Sequence, residues 1–307
     1  MFGRRADGRV LKNVDPVITL TPYLMPMRCD AQVFLSYQLD YEKLARYIVR
    51  QGAEGNKFTF MDLIIAAFVR AVGENPEANR FVMNKRIYAR NQLTVSFALL
   101  KDTSVEGAIE ENTVKCYFDP HDTIFDVADR IKTFIAQNRR EEADNSTMLL
   151  VKFLNNPILA NTIVGLARIL DRYGIMPKFI MDASPFHTSM FITNMASIGM
   201  PAVHHHIYNF GTTSLFFSIG SVQRSVTVGP DGQAVRKRYL PIGITADERI
   251  CAGAVYARLV GRMVELLNNP ELLEAPPEKI VFDEGVEYSL PKPKKRRLAS
   301  RKKDAEA

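Results

Sequence analysis

Residues 244–274 read ITADERICAGAVYARLVGRMVELLNNPELLE, and this stretch sets the architecture. It opens in the end of an apolar strand expected over 234–245 and passes through the charged triplet Asp247-Glu248-Arg249. A long helix is then expected from Arg249 to Asn268, stopping before Pro270, which cannot continue it. Upstream, Gly229-Pro230-Asp231-Gly232 reads as a hairpin turn joining this strand to one at 222–228.

Further out, strands are expected at 213–220, 188–194, 112–118, 86–100 and 31–39. Thr59 to Gly73 (TFMDLIIAAFVRAVG) is apolar nearly all round and opens on Thr59 and Asp62, which predicts a buried helix. Tyr41 to Gln51 and Asp122 to Arg140 read as amphipathic helices, and shorter helical stretches are expected at 146–155 and 157–172. Residues 1–29, punctuated by Pro16, Pro22 and Pro26, read as an irregular arm. Strands and helices mix without regular βαβ alternation, so the expected class is α+β, a sheet with helices packed on it. The expected division is an arm at 1–29, one domain at 30–275, and a C-terminal extension at 276–307.

The chain has 307 residues, 47% hydrophobic and 24% charged, values that fit a globular protein. No apolar run approaches the ~20 residues that span a bilayer, and the N-terminus has no apolar segment behind Arg4-Arg5 to make a secretory signal. Cys29, Cys116 and Cys251 are odd in number and far apart, which excludes a disulfide scaffold and predicts a reducing, cytoplasmic compartment. The net charge of +6 sits in the tail. Residues 292–307 hold eight basic and two acidic side chains, leaving 32 of each sign in the other 291 residues. The body therefore has no basic bias. The run at 292–303 reads as a solvated extended tail, with polyanion contact its functional alternative.

There is no Gly-rich phosphate loop, no nucleophile elbow and no His-Glu-x-x-His zinc motif. The local concentration of chemistry is His204-His205-His206. On a strand, alternate rings would face opposite ways, so His204 and His206 would act together and His205 would point away. No Cys, Asp or Glu lies close by in sequence to complete a metal site, so none is expected. A polar edge or an oligomer contact is the plainer reading of the three rings.

With these residues in view, 244–274 closely resembles the end of the catalytic domain of the dihydrolipoamide acyltransferases of 2-oxo acid dehydrogenase complexes, relatives of chloramphenicol acetyltransferase. The family pattern is a strand, Asp-His-Arg-x-x-Asp-Gly-Ala, and a long helix closing in Asn-Pro-Glu-Leu-Leu. Asp247, Arg249, Gly253, Ala254 and Asn269 to Leu273 match it. Residues 59–81 resemble the family's buried helix and its Asn-Pro-Glu-x-Asn segment, and MFITNMASIG (190–199) resembles the strand carrying Ile-Ser-Asn-Leu-Gly. The resemblance implies a chloramphenicol acetyltransferase-like mixed sheet and a homotrimer with active sites at subunit interfaces. It also implies an acyl-CoA thioester, or a lipoyl group on another protein, as substrate, with no tightly bound cofactor and no covalent lipoyl group on this chain.

Two departures fall on the chemistry. The family's general-base His is Glu248 here, and its Asp four residues on is Ala252. Thr193 falls on the family's Ser, whose hydroxyl hydrogen-bonds the tetrahedral oxyanion. A Glu ionises near pH 4.3 and a thiol near 8.5, so an unperturbed Glu248 is a poor base for a thiol. A histidine titrates near neutrality without help, so His204 or His206 is the alternative base. The expected catalytic set is Thr193, Glu248, His204 and His206, with Asn194, Asp247, Arg249 and Gly253 binding substrate. The rival expectation is an inactive trimeric scaffold, or an acyl-CoA sensor, of the same fold.

Overall fold

The computed structural model describes residues 4–100, 111–141, 156–228 and 230–291. The basic run at 292–303 and the helix expected at 146–155 lie outside the described residues. The strand expected at 234–245 is β11 (Ala234–Asp247), which organises the main sheet. Its first half pairs antiparallel with β10 (Gln223–Val228), and its second half lies between β3 (Gln32–Asp40) and β9 (Leu215–Ile219). β8 (Met190–Asn194) runs parallel to β9, followed by β6 (Leu93–Leu100) and then antiparallel β7 (Glu111–Phe118). The mixed sheet with helices expected from the sequence is thus observed, with β3 alone on the far side of β11.

One face of the sheet is the core. Met190, Ile192, Leu215, Phe217, Ile219, Ile242, Ile244 and Ala246 point there and meet α3 (Phe60–Glu74) and α7 (Gly253–Asn268). α3 forms where predicted because Thr59 and Asp62 build a complete capping box. Asp62 Oδ2 accepts from the Thr59 amide at 2.7 Å, and Thr59 Oγ1 accepts from the Asp62 amide at 3.2 Å. α2 (Tyr41–Ala53) is capped by Asp40, and α4 (Ile124–Glu141) follows β7.

Three expectations are corrected. The proline-punctuated arm contains α1 (Pro16–Leu24): Pro16 stands in the first turn, where an amide is unpaired anyway, and Asp15 caps the helix. The strand expected over 86–100 is two strands in two sheets. β5 (Arg86–Arg90) joins a small sheet with β1 (Arg4–Arg5), β2 (Gly8–Val10) and β4 (Arg80–Met83), and β6 begins after Asn91-Gln92. The final helix begins at Gly253 rather than Arg249, because Arg249 is held in a buried ion pair described below.

Candidate active site

Thr193 stands at the end of β8 on the face opposite the core. The register aligns Thr193 with Ser218 on β9, Gly243 on β11 and Ser36 on β3, a row of small residues across four strands. The loop at 200–207 crosses this row. Ser218 Oγ donates to Val203 O at 2.5 Å and accepts from the Val203 amide at 2.9 Å. A Cβ at Gly243 would run into Val203 O, and one at Gly220 into the Ala202 backbone, so both approaches require glycine. Among the described residues Thr193 Oγ1 meets only Met195 Sδ, at 3.8 Å, a weak partner that leaves the hydroxyl available. Asn194, exposed at the strand end, leads into a 3-10 turn over Met195–Ile198.

At the other end of β11 the surviving motif residues form a frame. Asp247 is fully buried between two guanidiniums. Arg249 donates to both its oxygens at 2.8 Å, and Arg28 Nε lies 3.3 Å from Oδ2. Arg249 also donates to Met25 O and Pro26 O, and Arg28 to Tyr208 O and Gly211 O. The two arginines thus tie the N-terminal segment and the 208–211 loop to the strand. Burial lowers the Arg28 pKa, and Asp247 opposes that shift. Arg28 carries no signal in the sequence, since its partner is 219 residues away.

Glu248 is exposed, and among the described residues its carboxylate makes no hydrogen bond or ion pair; only its amide is engaged, with Ala31 O at 2.8 Å. Ala252 is the N-cap of α7, without a side-chain cap, and Gly253 opens onto free space. Ala246 aligns with Leu215 and Met190, so Glu248 stands five residues along and two strands across from Thr193. At about 3.3 Å per residue and 4.8 Å per strand, that is about 19 Å. The single chain does not bring the two together. Cys251, inside the motif, is buried, and burial pushes its thiol up to about 12.

The three histidines follow no strand alternation, because 201–207 is a loop. His204 Nε2 lies 3.0 Å from Leu35 O and 3.1 Å from Ser36 Oγ, at the β3 end of the row and about 14 Å from Thr193. His205 and His206 stack on each other, with centroids 4.5 Å apart, and His205 also stacks on Phe216 at 4.2 Å. Within the loop the ring contacts are His205 with His206, and His204 with Phe34 at 5.5 Å, rather than His204 with His206. Among the described residues no group of three or more His, Cys, Asp or Glu is placed to hold a metal.

Residues 186–275 match the family of 2-oxoacid dehydrogenases acyltransferase (catalytic domain). No curated protein matches the chain. In fold, the chain is similar to a probable dihydrolipoamide acetyltransferase from Listeria monocytogenes, at 12% identity and a TM-score of 0.50 over 84% of this chain and 94% of that one. It is also similar to the cubic core of the pyruvate dehydrogenase multienzyme complex, at 14% identity and a TM-score of 0.53 over 86% and 93%. The dihydrolipoamide acetyltransferase of Azotobacter vinelandii, in which a serine, a histidine and an asparagine were investigated for roles in the catalytic mechanism, gives the same values.

Proposed function

Because residues 186–275 carry that acyltransferase pattern on the fold of the acetyltransferase cores, we propose that the protein transfers acyl groups between thiols. Coenzyme A, or a lipoyl group carried by another protein, is the thiol, and an acyl-CoA thioester is the substrate. The observation that carries this reading is Thr193. Among the described residues its hydroxyl has no strong partner at the end of β8, where it can donate to the oxyanion of a tetrahedral intermediate.

A homotrimer completes the arrangement. Thr193 and Glu248 lie at opposite ends of the sheet, so a site containing both takes one from each of two neighbouring copies. α1 supports such an assembly. Val17, Leu20 and Leu24 follow helical spacing along one stripe and are 70%, 53% and 70% exposed in the single chain. No helix among the described residues is long and apolar enough to cross a membrane, and the three unpaired cysteines support a cytoplasmic setting.

Ala252, and a Glu248 carboxylate without a hydrogen bond or ion pair among the described residues, favour a second reading, a catalytically silent trimer that serves as a scaffold or senses acyl-CoA. Turnover decides between them. Free-thiol release from a panel of acyl-CoA thioesters with an acceptor thiol is expected for the wild-type trimer. Thr193→Ala should lower kcat by about 10²–10³-fold, the usual loss for one oxyanion donor. Binding without turnover supports the sensor, and a folded trimer that does neither supports the scaffold.

A further inference from the structure

The helix α5 (Pro157–Arg172), PILANTIVGLARILDR, is rich in large apolar residues, yet of its 16 residues only Asp171 is buried. At about 100° per residue, Ile158, Leu166, Ile169 and the following Tyr173 fall within an arc of about 80°. They are 79%, 55%, 55% and 55% exposed. The half-buried Leu159, Ala167 and Leu170 and the buried Asp171 occupy the next arc, so the stripe points away from the body. Beyond the helix Ile175 and Phe179 are exposed as well, while Met176 and Met181 are buried and anchor the segment. A contiguous exposed apolar stripe of this extent marks a contact surface.

The charges beside the stripe say what it meets. Arg168 and Arg172 are exposed along its border, and Arg172 Nε donates to Asn84 Oδ1 at 3.2 Å, at a turn that carries the exposed Lys85 and Arg86. The one acid of the helix, Asp171, is turned inward between Arg5 and His187. A second copy set face to face would bring these cations against their own equivalents, whereas an anionic surface pairs them. The described chain also ends nearby. The Ser289 amide donates to Asn91 O at 2.8 Å, and the Asn91 amide to Asp7 O at 3.1 Å. Arg5 in turn bridges Asp7 and Asp171. The eight basic residues of 292–303 therefore start close to the end of α5, and twelve residues reach at most about 40 Å.

We propose that α5 lays its outward stripe on an anionic lipid surface, with Lys85, Arg86, Arg168 and Arg172 among the headgroups. The apolar side chains enter the boundary between headgroups and acyl chains, as those of interfacial helices do. At 16 residues the helix is about 24 Å long, short of the ~30 Å hydrocarbon core, so it lies along the surface and does not cross it. The basic run at 292–303 adds a second, electrostatic attachment, since each lysine or arginine near such a surface is attracted to its anionic lipids. Two weak attachments hold a protein where either alone would exchange freely.

The test is flotation of the full-length protein with vesicles of phosphatidylcholine containing about one third phosphatidylglycerol, and with vesicles of phosphatidylcholine alone. Wild type should float with the anionic vesicles at least about tenfold better than with the neutral ones, and less as salt rises. Leu166→Glu with Ile169→Glu should lower binding at least about tenfold, and Arg168→Ala with Arg172→Ala about fivefold for each arginine. The chain has no tryptophan, so Ile169→Trp supplies a single reporter, whose emission should move to the blue on anionic vesicles. No flotation of wild type, or no emission shift in Ile169→Trp, overturns the proposal. Full binding by the double glutamate variant also overturns it, leaving the tail as the whole attachment. If instead that variant breaks the wild-type oligomer in sedimentation, the stripe belongs to a second copy and the proposal fails. Vesicle binding is read without turnover, so neither result bears on acyl transfer.

Discussion

Neighbouring acidic residues in the motif have opposite fates. Asp247 is buried against Arg28 and Arg249, whereas Glu248 is exposed and its carboxylate has no hydrogen bond or ion pair among the described residues. Removing the first strands two guanidiniums in the interior, and breaking one side of a buried ion pair costs about 3–5 kcal/mol. Asp247→Ala should therefore shift the urea midpoint strongly downward. Glu248→Ala should stay within about 0.5 kcal/mol of wild type, as exposed substitutions do. Equal losses in the two variants would contradict this assignment. The contrast was not legible in the sequence, where Asp247, Glu248 and Arg249 are three adjacent charges. What separates them is Arg28, brought from an arm whose prolines suggested no order.

The helices were read well where local chemistry determines them and less well where tertiary contacts do. α3 starts where its capping box places it, and α4 follows its apolar spacing. The start of α7 was misplaced by four residues, because the Arg249 side chain is committed to Asp247 and the chain turns through 248–251 before Ala252 opens the helix. The outer-face row of Thr193, Ser218, Gly243 and Ser36 is a product of register across four strands and has no linear signature. Nor does the loop conformation that stacks His205 on Phe216 and His206. The bare start of α7 makes a prediction of its own. Ala252 has the extended φ of −67° and ψ of 152° of an N-cap, yet offers no acceptor for the first-turn amides. Ala252→Asp restores an acceptor and sets a negative charge at the positive end of the helix. A gain of about 1 kcal/mol is expected, seen as a rise in thermal midpoint of about 2 °C. An unchanged or lower midpoint would mean that the N-terminus of α7 is already satisfied, as by a neighbouring copy.

Across the molecule, buried charges join segments that are remote in sequence, and one of them should govern stability near neutral pH. Arg5 ties the N-terminal hairpin to Asp171 at the end of α5 (Pro157–Arg172), and His187 meets the same carboxylate at 3.2 Å. Close by, Lys115 of β7 reaches from the sheet to Met181 O at 2.7 Å and His187 O at 2.9 Å, holding the connection into β8. Burial pulls this ammonium down to about 7. In the unfolded chain the same lysine keeps its proton to about pH 10.4. Between those values the unfolded state binds more protons than the folded one, so unfolding free energy rises with pH, by up to about 1.4 kcal/mol per unit. The rise is clearest from about pH 7 to 8.5. Above that, Cys116 and Cys251, both pushed up to about 12 by burial, work the other way, since unfolded thiols ionise first. Denaturant unfolding at half-unit steps should show a positive slope in wild type and a flatter one in Lys115→Met, which has no proton to lose. Parallel curves would show that Lys115 keeps its proton in the fold and that the three carbonyls at 181, 184 and 187 outweigh its burial.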